Sequence, residues 1–259
     1  MRYDKIDNSL FIENRKRFTA KMQANSIAIL TSNDVKHNNA DDVMGFAQNN
    51  DLFYLSGIDQ EETILVLYPD AFKKENRAIL FVKETGDLIK IWDGEKLTQE
   101  KATEISGISR VTWNKDFESV LQAMAFEADG FYLGHNEHYK RATNNQETQQ
   151  DRMIKWCKEK YPLHQYYRAA KITRNLRPVK SDKEIELLQK AADISVASFS
   201  RILKACKPGK NEYELEAELT YNLVKSGLHI TLFSRLLLPG KTLVPYIIIP
   251  TIRFVKTVK

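Results

Sequence analysis

The side chains that could do chemistry are few and scattered in this sequence. The densest group is His135-Asn-Glu-His138, in which two imidazoles and a carboxylate lie close together. Helical zinc sites of peptidases place two histidines at positions i and i+4, so that both face the metal from one side of the helix. His135 and His138 lack that spacing, and a polar turn after a strand explains them equally well. We therefore predict a turn here rather than a metal site.

The remaining reactive side chains also fit structural roles. The acidic pairs Asp41-Asp42 and Glu61-Glu62 are typical of turns and helix caps, and the alternating glutamates of residues 212–218 are typical of a solvated helix face. The sequence has neither a Gly-x-Ser-x-Gly motif nor a phosphate-binding glycine loop. Residue types and spacing alone therefore predict no catalytic residue and no metal ligand.

Alternating strands and helices must position whatever site the chain has. Residues 63–68 and 77–82 are apolar on both faces, which is typical of central strands that are covered on both sides. The other predicted strands are residues 26–30, 87–92, 110–113 and 131–134, and the predicted helices are residues 8–25, 96–106, 116–128 and 144–161. This order predicts βαβ units and a mixed or parallel sheet with helices on its faces.

A pair of helices is predicted toward the end of the chain. Ser181 and Glu184 have the spacing of a capping box, in which each side chain accepts a hydrogen bond from a backbone N–H at the helix start. Asn211 with Glu214 marks a second helix start, and Gly227 fits its end. The predicted apolar stripes are Ile185, Leu188, Ala192, Val196, Phe199, Leu203 and Cys206 on the first helix, and Leu215, Leu219, Leu223 and Tyr213 on the second. Two helices cannot bury these faces alone, so the pair should open a larger domain.

Several segments occur in the order that they have in a known family. They are residues 48–57, 79–83, 91–94, 176–185 and 207–212. Together they resemble the Xaa-Pro aminopeptidases (aminopeptidase P), which are related to prolidase, creatinase and methionine aminopeptidase. The resemblance covers residues 1–227 and implies an α/β fold with a creatinase-type N-terminal domain over residues 1–172, in which helices flank a mixed sheet. It implies that residues 173–227 are the opening helix pair of an incomplete pita-bread (α+β) catalytic domain.

The resemblance also implies a chemistry. The catalytic domain of the family binds two divalent metal ions, usually manganese, through two Asp, one His and two Glu, and it removes an N-terminal residue that precedes proline. Two such cations can share a hydroxide, which is a nucleophile at neutral pH. In the family these ligands follow the helix pair, and Glu218 is the last acidic residue here. No ligand position can be carried over, so we expect this chain to bind no metal and to be inactive alone.

One substrate-binding residue is implied by the resemblance. Trp92 resembles the tryptophan of the family's Trp-x-Gly motif, which reaches toward the substrate pocket of a neighbouring subunit. A strand-end tryptophan packed under a helix is the structural alternative. The resemblance further implies proline-containing peptides as substrates and homo-oligomers that form through the N-terminal domain. From the charge and hydropathy patterns we expect no nucleic-acid or membrane partner.

Residues 228–259 differ in composition from the rest of the chain. They contain five basic residues and no Asp or Glu, so they carry the whole net charge of +5. The balanced remainder does not predict the basic groove of a nucleic-acid-binding protein. Relatives have a different string at this point, and a one-base shift of reading frame converts one into the other. We interpret the tail as aberrant and frame-shifted; a membrane anchor, which Pro245, Pro250 and Arg253 would interrupt, and a β-hairpin are the alternatives.

Two further functional interpretations stay open. The N-terminal domain could act as a non-catalytic binding or oligomerisation module, or the chain could be part of a prolidase-type dipeptidase. The isolated Cys157 and Cys206 fit a reducing cytosol rather than a disulfide framework. Residues 1–8 lack the apolar segment of a signal peptide. We therefore expect a cytoplasmic protein.

Overall fold

The chain forms two compact units. A computed structural model describes residues 5–40, 42–86, 91, 94–137 and 147–227. One unit is Ile6–Val179, and the other includes residues 180–227. The first unit extends past residue 172, where the sequence predicts a domain boundary, because the helix Ala169–Leu176 buries Thr173 and Leu176.

A six-stranded mixed sheet is the centre of the first unit. Its strands are β1 (Ser26–Thr31), β2 (Ile64–Leu67), β3 (Ala78–Val82), β4 (Arg110–Trp113), β5 (Gly130–Leu133) and β6 (Gln165–Arg168), and their spatial order is β4-β3-β2-β1-β5-β6. Only β2 runs antiparallel to its two neighbours. The sheet confirms the predicted fold class, and every residue of β1 and β2 is buried, as expected for central strands.

Helices cover both faces of this sheet. The helices of the first unit are α1 (Ser9–Thr19), α2 (Asn50–Ser56), α3 (Gln99–Ser106), α4 (Phe117–Ala125), α5 (Gln149–Lys160) and α6 (Ala169–Leu176). One face of β1 presents Ala28 and Leu30 to a cluster that includes residues of α1, α2, α3 and α6. The other face presents Ile27 and Ile29 to a cluster that includes residues of α4 and α5. Because successive side chains of a strand point to opposite faces, the sheet divides the core into two layers.

Some element boundaries differ from the sequence prediction. Helix α1 ends at Thr19 rather than at Asn25, which adopts a left-handed backbone conformation with φ 53°. Helix α5 begins at Gln149 rather than at residue 144, because Thr148 and Asp151 form a capping box there. Of the predicted strand 87–92, the structure describes only Ile91. The tail 228–259 also lies outside the described residues.

A buried arginine joins three helices beneath the sheet. The Arg15 guanidinium of α1 donates hydrogen bonds to the carbonyl oxygens of Leu55 (2.7 Å) and Ser106 (2.8 Å), in the last turns of α2 and α3. These carbonyl groups have no partner within their own helices, and the helix dipole favours a cation beside them. Burial lowers the pKa of Arg15 to about 10, so the side chain keeps its charge at neutral pH.

The same two helices end in an identical way. Both finish with Ser-Gly-Ile, and both glycines are left-handed, with φ 71° at Gly57 and 66° at Gly107. A Cβ atom at Gly57 would lie 2.3 Å from the Phe11 ring of α1, so a side chain at this position would push α1 away. The two helix ends and α1 therefore form one tightly packed corner.

The second unit contains the predicted helix pair. Helices α7 (Asp182–Ala205) and α8 (Glu212–Lys225) begin with the predicted capping boxes, at Ser181 with Glu184 and at Asn211 with Glu214. Most of the predicted stripe on α7 stays exposed: Ile185, Leu188, Val196 and Leu203 are each more than half exposed. Tyr213 was predicted to face inward and does not, because it is 66% exposed. Leu215 and Leu223 of α8 are buried, as predicted, whereas on α7 the buried residues are Ser198 and Ile202, which lie outside the predicted stripe.

No helix in the described part of the chain is both long and apolar enough to cross a membrane.

Candidate functional site

Three long connections leave the sheet at one edge. They are residues 32–49, 83–98 and 134–148, which follow β1, β3 and β5. These three strands run in the same direction, so all three connections begin at the carboxyl edge of the sheet. Loops at the carboxyl ends of parallel strands are where α/β proteins usually place binding residues. This edge is therefore the candidate site.

The chain reverses its direction of winding between β1 and β5. After β1 it forms α2, whose Leu52 and Leu55 pack on one face of the sheet. After β5 it forms α5, whose Met153 and Cys157 pack on the opposite face. Adjacent parallel strands whose helices diverge in this way open a crevice at their carboxyl ends.

Polar side chains at the carboxyl ends of β1 and β5 and at the start of α5 bond to one another. The Asp34 carboxylate accepts a hydrogen bond from the backbone N–H of Gln149 (2.8 Å) at the start of α5, and it also pairs with Arg152. The Asp151 carboxylate lies 3.2 Å from the His135 ring nitrogen through one oxygen. Its other oxygen accepts the capping hydrogen bonds of Thr148. The first turn of α5 is thus stabilised by carboxylates, as its dipole favours.

The histidine motif has a structural role in this arrangement. His135 faces the Asp151 carboxylate, and Glu137 accepts a hydrogen bond from Arg168 (2.7 Å) at the end of β6. That hydrogen bond lowers the pKa of Glu137, so its carboxylate stays ionised. His138 lies outside the described residues. Within the part of the chain that the structure describes, no group of three or more His, Cys, Asp or Glu side chains could hold a metal ion.

The connection that contains Trp92 is anchored at the carboxyl edge on both sides. Before it, Lys83 pairs with Glu62 at 3.0 Å. After it, Lys96 donates a hydrogen bond to Glu61 (2.6 Å), and the backbone N–H of Leu97 donates one to the side chain of Gln60 (2.8 Å). Trp92 itself lies outside the described residues. The residues that hold its loop are nevertheless placed, and they belong to the candidate site.

The anchor at Lys96 is partly buried. Burial raises the pKa of Glu61, but the hydrogen bond and the positive charge of Lys96 outweigh it, so the net effect is a lowered pKa. The Gln60 side-chain nitrogen and the Thr31 hydroxyl are buried at the same edge, and neither atom has a hydrogen-bond partner among the described residues.

The sequence did not predict the contacts that build this edge. Family resemblance suggests Trp92, at the end of the predicted strand 87–92, as a substrate-binding residue, whereas the ion pairs on either side of this connection join residues far apart in sequence. Strand β6, which supplies Arg168, was not predicted either. Its residues, Gln-Tyr-Tyr-Arg, are half-exposed at the sheet edge and lack the apolar run that marked the other strands.

Comparison with known proteins identifies the first unit. Residues 11–132 match the family described as aminopeptidase P, N-terminal domain. The chain is 24% identical over 235 residues to the Xaa-Pro aminopeptidase of Escherichia coli, covering 86% of this chain and 50% of that protein. It thus spans about half the length of the curated relatives it matches.

Solved structures give the same result for the fold. One match is a structure from Bacillus anthracis assigned as aminopeptidase P. The match covers 87% of this chain and 53% of the B. anthracis chain, with a TM-score of 0.77 and 28% identity. A zinc-substituted aminopeptidase P from E. coli, in complex with product, also matches. The match covers 86% of this chain and 51% of the E. coli chain, with a TM-score of 0.70 and 23% identity. The described fold is therefore that of an aminopeptidase P N-terminal domain, with further residues along the same chain.

Proposed function

We propose, from the membership of residues 11–132 in the aminopeptidase P N-terminal domain family, that this chain supplies the non-catalytic part of a Xaa-Pro aminopeptidase. Such an enzyme hydrolyses the bond between an N-terminal residue and a following proline. In this proposal the first unit binds other subunits and presents the Trp92 loop. The helix pair α7–α8 begins the pita-bread catalytic domain. The cytosol is the compartment that fits the two free cysteines.

The residues of this chain do not fit a two-metal peptidase site. Such a site needs several oxygen donors around each cation, and the relatives place them after the helix pair. Glu218 is the last residue of the sequence with a side-chain carboxylate. Among His, Asp and Glu, residues 219–259 contain only His229. The side chains of this chain therefore cannot complete a two-metal site.

A peptidase assay tests this assignment of roles. The purified chain is incubated with Mn²⁺ and an Arg-Pro-containing peptide, and release of free arginine is followed by chromatography. We expect no release, and no stoichiometric manganese after dialysis, because the carboxylate donors are missing. An intact Xaa-Pro aminopeptidase under the same conditions is the positive control. Turnover by the 259-residue chain would contradict the proposal.

The observation that favours a substrate role for Trp92 is the anchoring of its loop. The Lys83–Glu62 pair and the Lys96–Glu61 hydrogen bond hold both ends of the connection at the carboxyl edge. At this edge a side chain can reach a neighbouring subunit, whereas a tryptophan packed under a helix of its own unit would be withdrawn from it.

Fluorescence quenching separates these two positions of Trp92. The chain has three tryptophans, so the difference in emission between the wild type and Trp92→Phe reports on Trp92. If the side chain is presented at the edge, acrylamide should quench this difference signal about as strongly as it quenches free tryptophan. Strong protection would show a packed side chain and contradict the substrate role. Trp113→Phe, at a half-buried position of β4, is the matched control.

A further inference from the structure

The acidic pair Glu61-Glu62 lies in a short turn that contacts several segments of the carboxyl edge. The turn is residues 60–63, directly before β2, and we name it the edge turn. Glu62 has a left-handed backbone, with φ 50°. A residue with a long side chain adopts this conformation only where the surrounding contacts hold it. The strain therefore points to a role beyond reversing the chain.

Two hydrogen bonds join the edge turn to the end of the 83–98 connection. The Gln60 side-chain oxygen accepts one from the backbone N–H of Leu97 (2.8 Å), and the Glu61 carboxylate accepts the other from Lys96 (2.6 Å). Only 14% of the Glu61 side chain and 16% of the Lys96 side chain are exposed. Breaking a buried pair leaves a desolvated charge without its partner, so this contact resists separation.

The start of the same connection is held less firmly. Lys83 pairs with Glu62 at 3.0 Å, and Glu84 pairs with Lys115 at 2.6 Å. The side chains of Glu62, Glu84 and Lys115 are each more than half exposed. Exposed ion pairs add little stability, because water and salt screen both charges. The contacts at the end of the connection are therefore the ones that can fix its position.

The 32–49 connection bonds to the same turn. The Gln48 side-chain nitrogen donates hydrogen bonds to the backbone carbonyls of Ile58 (3.1 Å) and Gln60 (2.8 Å). The Gln60 carbonyl also accepts one from the Thr63 hydroxyl (2.9 Å). Gln60 is buried, so water does not compete for these bonds. It thus holds one connection through its backbone and the other through its side chain.

The second half of the edge turn is bound to the ends of two strands. The Thr63 carbonyl accepts a hydrogen bond from the backbone N–H of Ser32 (2.8 Å), and the Ser32 hydroxyl accepts one from the Thr63 N–H (3.2 Å). The Asn114 side chain, directly after β4, donates to the Glu62 carbonyl. These contacts hold the strained backbone of Glu62 in place. The turn is therefore a rigid support on the sheet.

We propose that the edge turn is a positioning element, which fixes the 32–49 and 83–98 connections relative to each other. Gln60 and Glu61 are its positioning residues for the connection that contains Trp92. The proposal rests on the proposed role of this edge in reaching the substrate of a neighbouring subunit. A connection that is already anchored loses little conformational entropy when it contacts that subunit. A change at Gln48 should then reach Leu97 through Gln60.

Hydrogen exchange at the Leu97 amide, followed by NMR of the full chain, tests this coupling. Gln60→Met removes the acceptor but keeps a side chain of similar length, and exchange at Leu97 should become about tenfold faster. Gln48→Met releases the Gln60 carbonyl and should make it about threefold faster. The amides of β2 should keep their wild-type rates in both variants, because the core of the sheet is unchanged.

Substitutions of Lys96 test the buried ion pair. Lys96→Met should lower the fluorescence anisotropy of Trp92, which is measured as the difference from the same variant with Trp92→Phe, because the end of the connection is released. Lys96→Arg keeps a cation that can donate to Glu61 and should retain the anisotropy. Lys115→Met breaks the exposed pair with Glu84 at the other end of the connection and should also retain it.

The possible results separate the positioning role from the substrate role. Unchanged exchange at Leu97 in Gln60→Met would overturn the positioning role, whatever the exposure of Trp92. Faster exchange in Gln60→Met but not in Gln48→Met would overturn the coupling of the two connections. Equal losses of anisotropy in Lys96→Met and Lys115→Met would overturn the assignment to the buried pair. If all variants behave as expected but acrylamide does not reach Trp92, the positioning role stands and the proposed substrate role fails.

Discussion

The two units of this chain carry equally clear helix signals, but only one of them buries the faces that those signals create. In the first unit, Phe117, Leu121 and Met124 of α4 are buried against the sheet. In the second unit, Leu188, Val196 and Leu203 of α7 lie on a comparable stripe and are more than half exposed. Both helices have the apolar periodicity of an amphipathic helix. They differ in whether a partner surface covers that stripe.

This comparison separates what specifies a helix from what stabilises it. Capping boxes and spacing decide where α7 and α8 begin and end, because they satisfy the backbone groups at the helix termini. Most of the stability of a helix in a protein comes instead from the packing of its apolar face. We therefore expect the first unit to be more stable than the helix pair.

The largest expected difference between the two units is in the reactivity of their thiols, because each unit contains one cysteine. Burial raises the pKa of the Cys157 thiol to about 12, whereas Cys206 at the end of α7 is only half-buried. A rise of about three pKa units above a free thiol reduces the reactive thiolate ~1,000-fold, so iodoacetamide should modify Cys206 at least that much faster. Mass spectrometry of timed samples measures both rates.

A variant with a single thiol provides the control for this experiment. In Cys206→Ala, the remaining Cys157 should react only when denaturant unfolds the first unit. Fast modification of Cys157 in the native variant would show that the first unit opens as readily as the helix pair, and the comparison would fail.

A matched pair of leucine substitutions gives the next largest effect. Leu121→Ala in α4 removes a fully buried side chain and should lower the free energy of unfolding by about 3 kcal/mol. Leu203→Ala in α7 removes a side chain that is 54% exposed and should change it by less than about 0.5 kcal/mol. Urea titrations followed by circular dichroism compare the two. Equal losses would mean that a partner surface covers the α7 stripe in solution.

Much of the fold could be predicted because its signals are local. The strands of residues 63–68 and 77–82 carry continuous apolar runs, and the starts of α7 and α8 carry complete capping boxes. Helix α2 was not predicted, because its seven residues are too few to show helical periodicity, although Asn49 caps its start. Tyr213 was placed inward by spacing alone, but it lies one residue into α8, beyond the surface that α7 covers.

The candidate site was less predictable, because long-range contacts build it. The pair of Lys96 with Glu61 and that of Arg168 with Glu137 join residues that only the folded sheet brings together. Asp151 could be recognised as a helix cap from its spacing to Thr148, but its position beside His135 could not. Family resemblance supplied Trp92, and no feature of composition or periodicity would have distinguished it from a packing residue.

The bridge that Arg15 makes between α2 and α3 also constrains the order of events on the ribosome. Its two acceptors lie 40 and 91 positions later in the chain, at Leu55 and Ser106. During synthesis, the guanidinium must stay hydrated until both helices have left the exit tunnel. Helix α1 therefore cannot reach its final position before Ser106 has been synthesised, and nascent chains that stop before Ser106 should expose α1 to proteases.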